Sequence, residues 1–189
     1  MTAWSVYGPE RDDETLVDDV LLAYQDILAT GLHPALTLNR DLPIEIRALR
    51  HTGNWRVFLL LTPWHLARVF VPKERPAGLE PPAEWGAEQR SGVPYAVIGP
   101  AFQLDVLGGT ESAHLNYDPR LGHFFLQPLI QNMRSFRTAD AASAAWHEVI
   151  RVRDRNMAEF QKRCPWQEQV SRREFFARLV RRIDPEPKP

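Results

Sequence analysis

The feature that most constrains the fold of this chain is an apolar strand that runs directly into Thr62, Pro63 and Trp64. Residues 57–61 are all apolar and predict a strand that is buried on both faces. Thr62 is a good helix N-cap, and Pro63 suits the first helical position because it has no N–H to leave unpaired. We therefore expect a short helix over residues 64–71, ended by Pro72.

Length and composition place the chain among single-domain proteins of a reducing compartment. Its 189 residues are enough for one independent core, and the single cysteine, Cys164, rules out an internal disulfide or a zinc ribbon. The first ten residues lack the basic and apolar regions of an export signal, and no apolar run is long enough to cross a membrane. We expect a cytoplasmic protein without a membrane span.

Charge is distributed unevenly along the chain. The net charge of −1 argues against a nucleic-acid binder. Residues 1–26 nevertheless hold seven acidic residues against one arginine, a net charge of −6, whereas residues 150–183 hold ten basic against four acidic residues, a net charge of +6. Four acids near the first predicted helix are therefore candidates for binding a basic partner: Asp12, Asp13, Asp18 and Asp19.

The pattern of apolar residues predicts an α+β domain, with an antiparallel sheet of four to six strands packed against two main helices. The helices are expected near 14–31 and from 138 towards 163, the second with Val149 and Val152 on its core face. Strands are expected at 44–50, 55–61, 95–98, 102–107, 114–117 and 124–129.

Proline and glycine are frequent between residues 72 and 94. This composition predicts a long surface loop with one turn of helix near 83–89. We expect a core over 1–155 and a basic helical arm over 156–189, with a disordered tail at 185–189.

The sequence offers little catalytic chemistry. It has no Gly-Lys-Ser/Thr phosphate loop, and its six histidines lack the spacing of a helical metal site. A small metal-handling or hydrolytic enzyme that uses His114, His123 and Cys164 is the alternative, with the two histidines facing each other across a hairpin. We expect no cofactor and no enzyme activity.

One motif near the end of the chain has two interpretations. Residues 171–176, Ser-Arg-Arg-Glu-Phe-Phe, resemble the Ser-Arg-Arg-x-Phe-Leu motif of twin-arginine export signals. They also have the spacing of a capping box that starts an amphipathic helix at Ser171. Arg172, Arg173 and Phe175 are therefore either part of a signal mimic or part of a capped helix.

Three segments together resemble a known family: Leu-Thr-Pro-Trp-His-Leu-Ala-Arg-Val-Phe-Val-Pro at 61–72, Phe-Phe-Leu-Gln-Pro-Leu at 124–129 and the late Ser-Arg-Arg motif. The chain is similar to the HybE/HupJ family of [NiFe]-hydrogenase assembly chaperones over about residues 15–182. The resemblance implies a non-enzymatic cytoplasmic protein that attends hydrogenase large and small subunit precursors and holds back twin-arginine export. It makes Thr62, Pro63 and Trp64, together with the acidic and arginine residues above, candidate partner-binding residues.

Overall fold

The computed structural model describes residues 4–30 and 38–163. In chain order its elements are α1 (Asp13–Thr30), β1 (Glu45–Thr52), β2 (Trp55–Leu61), β3 (Leu66–Pro72), a 3₁₀ turn (Ala83–Trp85), α2 (Ala87–Arg90), β4 (Ala101–Val106), β5 (Gly109–Asp118), β6 (Gly122–Ile130) and α3 (Ala139–Arg163). The strands pair antiparallel in one sheet, in the order β1-β2-β3-β6-β5-β4. This arrangement confirms the predicted α+β class.

The predicted helix over residues 64–71 is wrong, because that stretch forms a tight turn and then β3. Leu61 pairs with Leu66, so Thr62 and His65 bound a four-residue hairpin turn. The N–H of Thr62 donates to the His65 carbonyl at 2.9 Å. The Thr62 hydroxyl accepts from the N–H groups of Trp64 at 3.3 Å and His65 at 3.0 Å. Thr62 therefore does cap N–H groups, but those of a hairpin turn and not of a helix.

The position of β3 explains why its sequence is ambiguous. β3 lies between β2 and β6, and all of its residues except Arg68 are buried. A strand that is covered on both faces has no polar face to reveal a period of two, so its run of apolar residues also fits a buried helix. The β-branched Val69 and Val71 favour the strand.

Alternate residues of the sheet pack into two different cores. On one face, Leu60 and Phe124 pack with Tyr24 and other apolar residues of α1. On the opposite face, Phe70 and Phe125 form a second core that is covered by three residues outside the sheet, Trp4, Leu79 and Trp85. The long loop after β3 and the N-terminal segment therefore help to cover this face of the sheet.

The predicted β1–β2 hairpin is confirmed. Thr52 pairs with Trp55 across a two-residue turn in which Gly53 has a φ of 54°. Glycine adopts this left-handed conformation without the steric cost that a side chain brings.

The segment 95–98 is not a strand, and β4 begins at Ala101. Gly99 lies so close to the Leu115 carbonyl that a Cβ there would come within 2.0 Å of it. The segment is tied to α1 instead, because the hydroxyl groups of Tyr95 and Tyr24 are hydrogen-bonded at 2.9 Å.

The predicted core face of α3 is correct only near its start. Ala142 is buried, but Val149 and Val152 are 56% and 39% exposed. The compact unit that contains the sheet extends to Trp146, and Val149 belongs to a second unit. Periodicity shows that residues share a face of a helix, but it does not show that another element covers that face. In the part of the chain that the structure describes, no helix is long and apolar enough to span a membrane.

Candidate protein-binding surface

The acidic residues at the start of α1 differ in whether they already have partners. Asp12 Oδ1 accepts the Thr15 N–H at 2.8 Å, and this bond lowers the pKa of Asp12. Asp19 accepts hydrogen bonds from the Tyr7 hydroxyl at 3.0 Å and from Arg11 at 2.9 Å. These two carboxylates therefore organise the start of the helix.

Asp13 is also engaged within the molecule. One of its oxygens lies 2.7 Å from His51 Nε2, and the other lies 3.3 Å from Nε of the buried Arg56. Asp18, in contrast, is exposed and has no ion pair or side-chain hydrogen bond in the described part of the chain. Of the four predicted acids, Asp18 alone is available to a partner without breaking a contact.

Thr62, Pro63 and Trp64 are all buried. The Trp64 ring stacks on Tyr24 with ring centroids 6.0 Å apart and an interplanar angle of 13°. The three residues therefore support the core in this structure, and they present no surface to a partner.

A cleft of about 450 Å³ lies beside α1. Its walls come from α1, from the end of the long loop and from the β5–β6 turn, and the residues that matter here are Asp26, Arg90, Val93, Tyr95 and Asp118. Its volume falls within the range of about 300–1,000 Å³ that is typical of ligand sites. The end of the long loop that was predicted between residues 72 and 94 thus forms one wall of it.

Asp118 is the most desolvated carboxylate of this cleft, with 9% of its surface exposed. Burial raises its pKa, although the N–H and the positive charge of Arg120 act in the opposite direction. Arg120 N donates to Oδ1 at 2.8 Å, but the Arg120 guanidinium pairs with Asp26 at 2.6 Å. Among the described residues Asp118 has no ion-pair partner.

Arg90 is a charged residue of the opposite sign in the same cleft. Its guanidinium lies over the Trp85 ring, 4.5 Å from the centroid, and donates to the Pro94 carbonyl at 3.0 Å. Its Nε is buried without a hydrogen-bond partner, and burial lowers the pKa of the group. Within residues 4–30 and 38–163 no carboxylate pairs with it.

His114 and His123 do not form the site that the alternative function, a metal-handling or hydrolytic enzyme, requires. His123 lies opposite Tyr117 and His114 lies opposite Leu126, so the expectation that the two histidines face each other is wrong. His114 Nδ1 bonds the Gly99 carbonyl at 2.8 Å. The described residues contain no group of three potential metal ligands, and Cys164 lies outside them.

His123 has a structural role that the sequence did not reveal. Its Nε2 lies 2.8 Å from the Trp85 carbonyl, which can only accept, so Nε2 carries the proton. Nδ1 is then free to accept the Ser5 N–H at 2.9 Å. One imidazole thus ties the N-terminal segment and the long loop to the sheet.

The predicted arginine motif is not placed by the structure. Arg172, Arg173 and Phe175, and the helix expected from Ser171, lie outside the described residues. The sequence did not indicate that Arg90 and Asp118 line the same cleft, because they are 28 positions apart and neither belongs to a recognisable motif. Only the position of Asp118 beside Pro119, at the end of a predicted strand, marks it as a turn residue.

Comparison with known proteins identifies the family. No curated protein matches the sequence significantly. The fold is similar to the solution structure of HybE from Escherichia coli, with 15% sequence identity, coverage of 80% of this chain and 82% of that chain, and a TM-score of 0.48. A family model described as [NiFe]-hydrogenase assembly, chaperone, HybE matches residues 15–178. Since this match spans most of the sequence, the chain belongs to the HybE family of [NiFe]-hydrogenase assembly chaperones.

Proposed function

We propose that this chaperone binds the precursors of the hydrogenase large and small subunits in the cytoplasm and delays export until assembly is complete. The family match over residues 15–178 carries the proposal. The surface beside α1 supports it, because exposed apolar side chains lie there together with charged groups that have no ion-pair partner in the described part of the chain, as in many protein-binding sites. Binding is sufficient for this role, and no step of it requires catalysis.

Co-purification from the native host tests the proposal directly. A tagged copy of the full chain is expected to retain the large-subunit precursor, the small-subunit precursor or both, and mass spectrometry identifies them. A tagged chain of unrelated fold provides the background. If neither precursor is enriched above that background, in cells that are actively making the hydrogenase, the proposed function is wrong.

We further propose that a twin-arginine signal peptide is one of the bound segments. Of the four candidate acids near the start of α1, Asp18 is the one available to it, because Asp12, Asp13 and Asp19 are engaged within the molecule. The substitution Asp18→Asn is expected to lower the affinity for a signal peptide severalfold at low salt. The effect is modest because exposed charges contribute little to binding and are screened by ions. Asp41→Asn, at an exposed position outside α1, is the matched control. Equal affinities of both variants and the parent protein would remove Asp18 from the binding surface.

The two interpretations of the C-terminal motif, a signal mimic and a capped helix, predict different results for peptide binding. If residues 171–176 imitate a signal peptide, the double variant Arg172→Ala with Arg173→Ala removes a competitor, and the affinity for an added signal peptide rises. If they form a capped helix, that affinity stays unchanged. Peptide titration by calorimetry separates the two outcomes, after circular dichroism has shown that the variant is folded.

A further inference from the structure

The cleft beside α1 combines two opposite charges that do not neutralise each other. Asp118 and Arg90 both line it, yet neither forms an ion pair with the other or with any other described residue. Arg120 cannot serve Asp118 fully, because its guanidinium is paired with Asp26. Charges that are largely removed from water and left in this state are costly to the isolated protein, and a ligand that supplies their partners recovers that cost.

The chemistry of the walls selects the ligand. Asp118 needs a cation that tolerates partial desolvation, and guanidinium is more weakly hydrated than the ammonium of lysine. Only Nη2 of the Arg90 guanidinium has a hydrogen-bond partner in the described part of the chain, so the group can still donate to an acceptor such as a carbonyl oxygen. Val93 is 46% exposed in the cleft wall, and Leu22, one helical turn before Asp26, is 51% exposed. A polypeptide segment with an arginine between apolar residues supplies all of these groups.

We propose that the cleft binds an arginine residue of an extended polypeptide, with the guanidinium on Asp118, a main-chain carbonyl on Arg90 and apolar neighbours against Val93 and Leu22. This inference rests on the proposed function, because it assumes that the bound molecule is a polypeptide. It assigns the arginine to the cleft, about half the length of α1 away from the acids at the start of the helix.

The test uses a labelled peptide, acetyl-Ala-Leu-Arg-Leu-Ala-amide, titrated into the full chain at low salt and followed by fluorescence polarisation. A second peptide carries citrulline, which has the shape of arginine without its charge, and a third carries lysine. We expect the arginine peptide to bind at least tenfold more tightly than the citrulline peptide, with lysine in between. Equal binding of the arginine and citrulline peptides, or no binding of either, overturns the proposal without any variant.

Variants then place the contact. Asp118→Asn keeps the oxygen that accepts the Arg120 N–H, so it removes the charge with little change of shape. It is expected to lower the affinity for the arginine peptide at least tenfold and to leave the citrulline peptide unaffected. The matched control is Asp105→Asn, at an exposed acid of β4 outside the cleft. It is expected to leave the affinity for both peptides unchanged. An Asp118→Asn protein that binds the arginine peptide like the parent overturns the assignment.

Failure of this inference can be separated from failure of the proposed function. If the parent protein and the Asp118→Asn variant capture hydrogenase precursors equally well, the cleft is not the binding site and the chaperone function stands. If the parent protein captures no precursor, the proposed function fails, and the peptide titrations still decide what the cleft binds.

Discussion

The β2–β3 turn contains buried polar groups without hydrogen-bond partners, and the cleft beside α1 contains charged groups without ion-pair partners, but only those of the cleft line an opening at the surface. In the turn, the Trp64 indole nitrogen and both ring nitrogens of His65 are buried and have no hydrogen-bond partner in the described part of the chain. In the cleft, Asp118 and Arg90 line a cavity that a ligand can enter. An unsatisfied group that is sealed in the core affects stability and its dependence on pH, whereas one at an open surface can serve recognition.

The largest effect expected in this comparison is the loss of a core side chain at the turn. Trp64→Ala is expected to lower the free energy of unfolding by about 3–5 kcal/mol, because it removes a large buried ring and leaves a cavity. Val93→Ala, in the wall of the cleft, is expected to change stability by less than about 1 kcal/mol, because that side chain is already half exposed. Urea denaturation measures both. Similar losses for the two variants would remove the distinction between a structural turn and an exposed wall.

A smaller loss of stability is expected when the side chain at position 62 keeps its shape but loses its hydroxyl group. Thr62→Val leaves the N–H groups of Trp64 and His65 without their acceptor, at a cost of about 2–3 kcal/mol. Thr62→Ser keeps the oxygen and is expected to cost less than about 1 kcal/mol. If the valine variant is as stable as the serine variant, the hydroxyl does not hold the turn.

Acid is expected to destabilise the protein through the same turn. Burial lowers the pKa of His65 from 6.5 to about 3, so below pH 6.5 the unfolded chain takes up a proton that the folded chain does not. Stability therefore falls as the pH falls, by about 2 kcal/mol between pH 8 and pH 5 from this group. His123, whose pKa burial also lowers, acts in the same direction, and Asp118, whose pKa is raised, acts against them.

His65→Leu isolates this contribution. The variant removes the titrating group and two buried polar atoms, so at neutral pH it is expected to be at least as stable as the parent protein. Its stability is expected to depend on pH by about 2 kcal/mol less over the same range. His147→Gln, at an exposed position, is the control substitution. An unchanged pH dependence in the leucine variant would mean that His65 takes up its proton in the folded protein as readily as in the unfolded chain.

The sequence predicted the parts of the fold in which pattern and local chemistry agree. The β1–β2 hairpin alternates in polarity and turns at Gly53, and α1 has a polar face and an apolar face, so both were located closely. Residues 66–71 could not be predicted in the same way, because a central strand and a buried helix have the same apolar composition. The Thr-Pro pair then favoured the wrong element, since its capping chemistry serves a hairpin turn equally well.

The candidate site was less predictable than the fold for a related reason. The acids near the start of α1 were predicted from their number, but three of the four are engaged within the molecule. Two of the partners, His51 and Arg56, are brought to Asp13 only by the folded chain. Conversely, Asp118 and Arg90 are ordinary turn and loop residues in the sequence. Their significance depends on the absence of an ion-pair partner within the described residues, which is a property of the folded chain.

The smallest change in stability is expected for Asp118→Asn, the variant for which the largest change in peptide binding is predicted. Burial raises the pKa of Asp118, so its ionised form is disfavoured in the folded protein, and Asp118→Asn removes that unfavourable charge while keeping the acceptor for Arg120 N. The melting temperature at neutral pH is therefore expected to stay the same or to rise slightly. A marked fall, measured by calorimetry, would show that the carboxylate stabilises the fold. A stable variant that no longer binds the arginine peptide would instead show that this charge is retained for recognition, as expected of a charge without an ion-pair partner at an open surface.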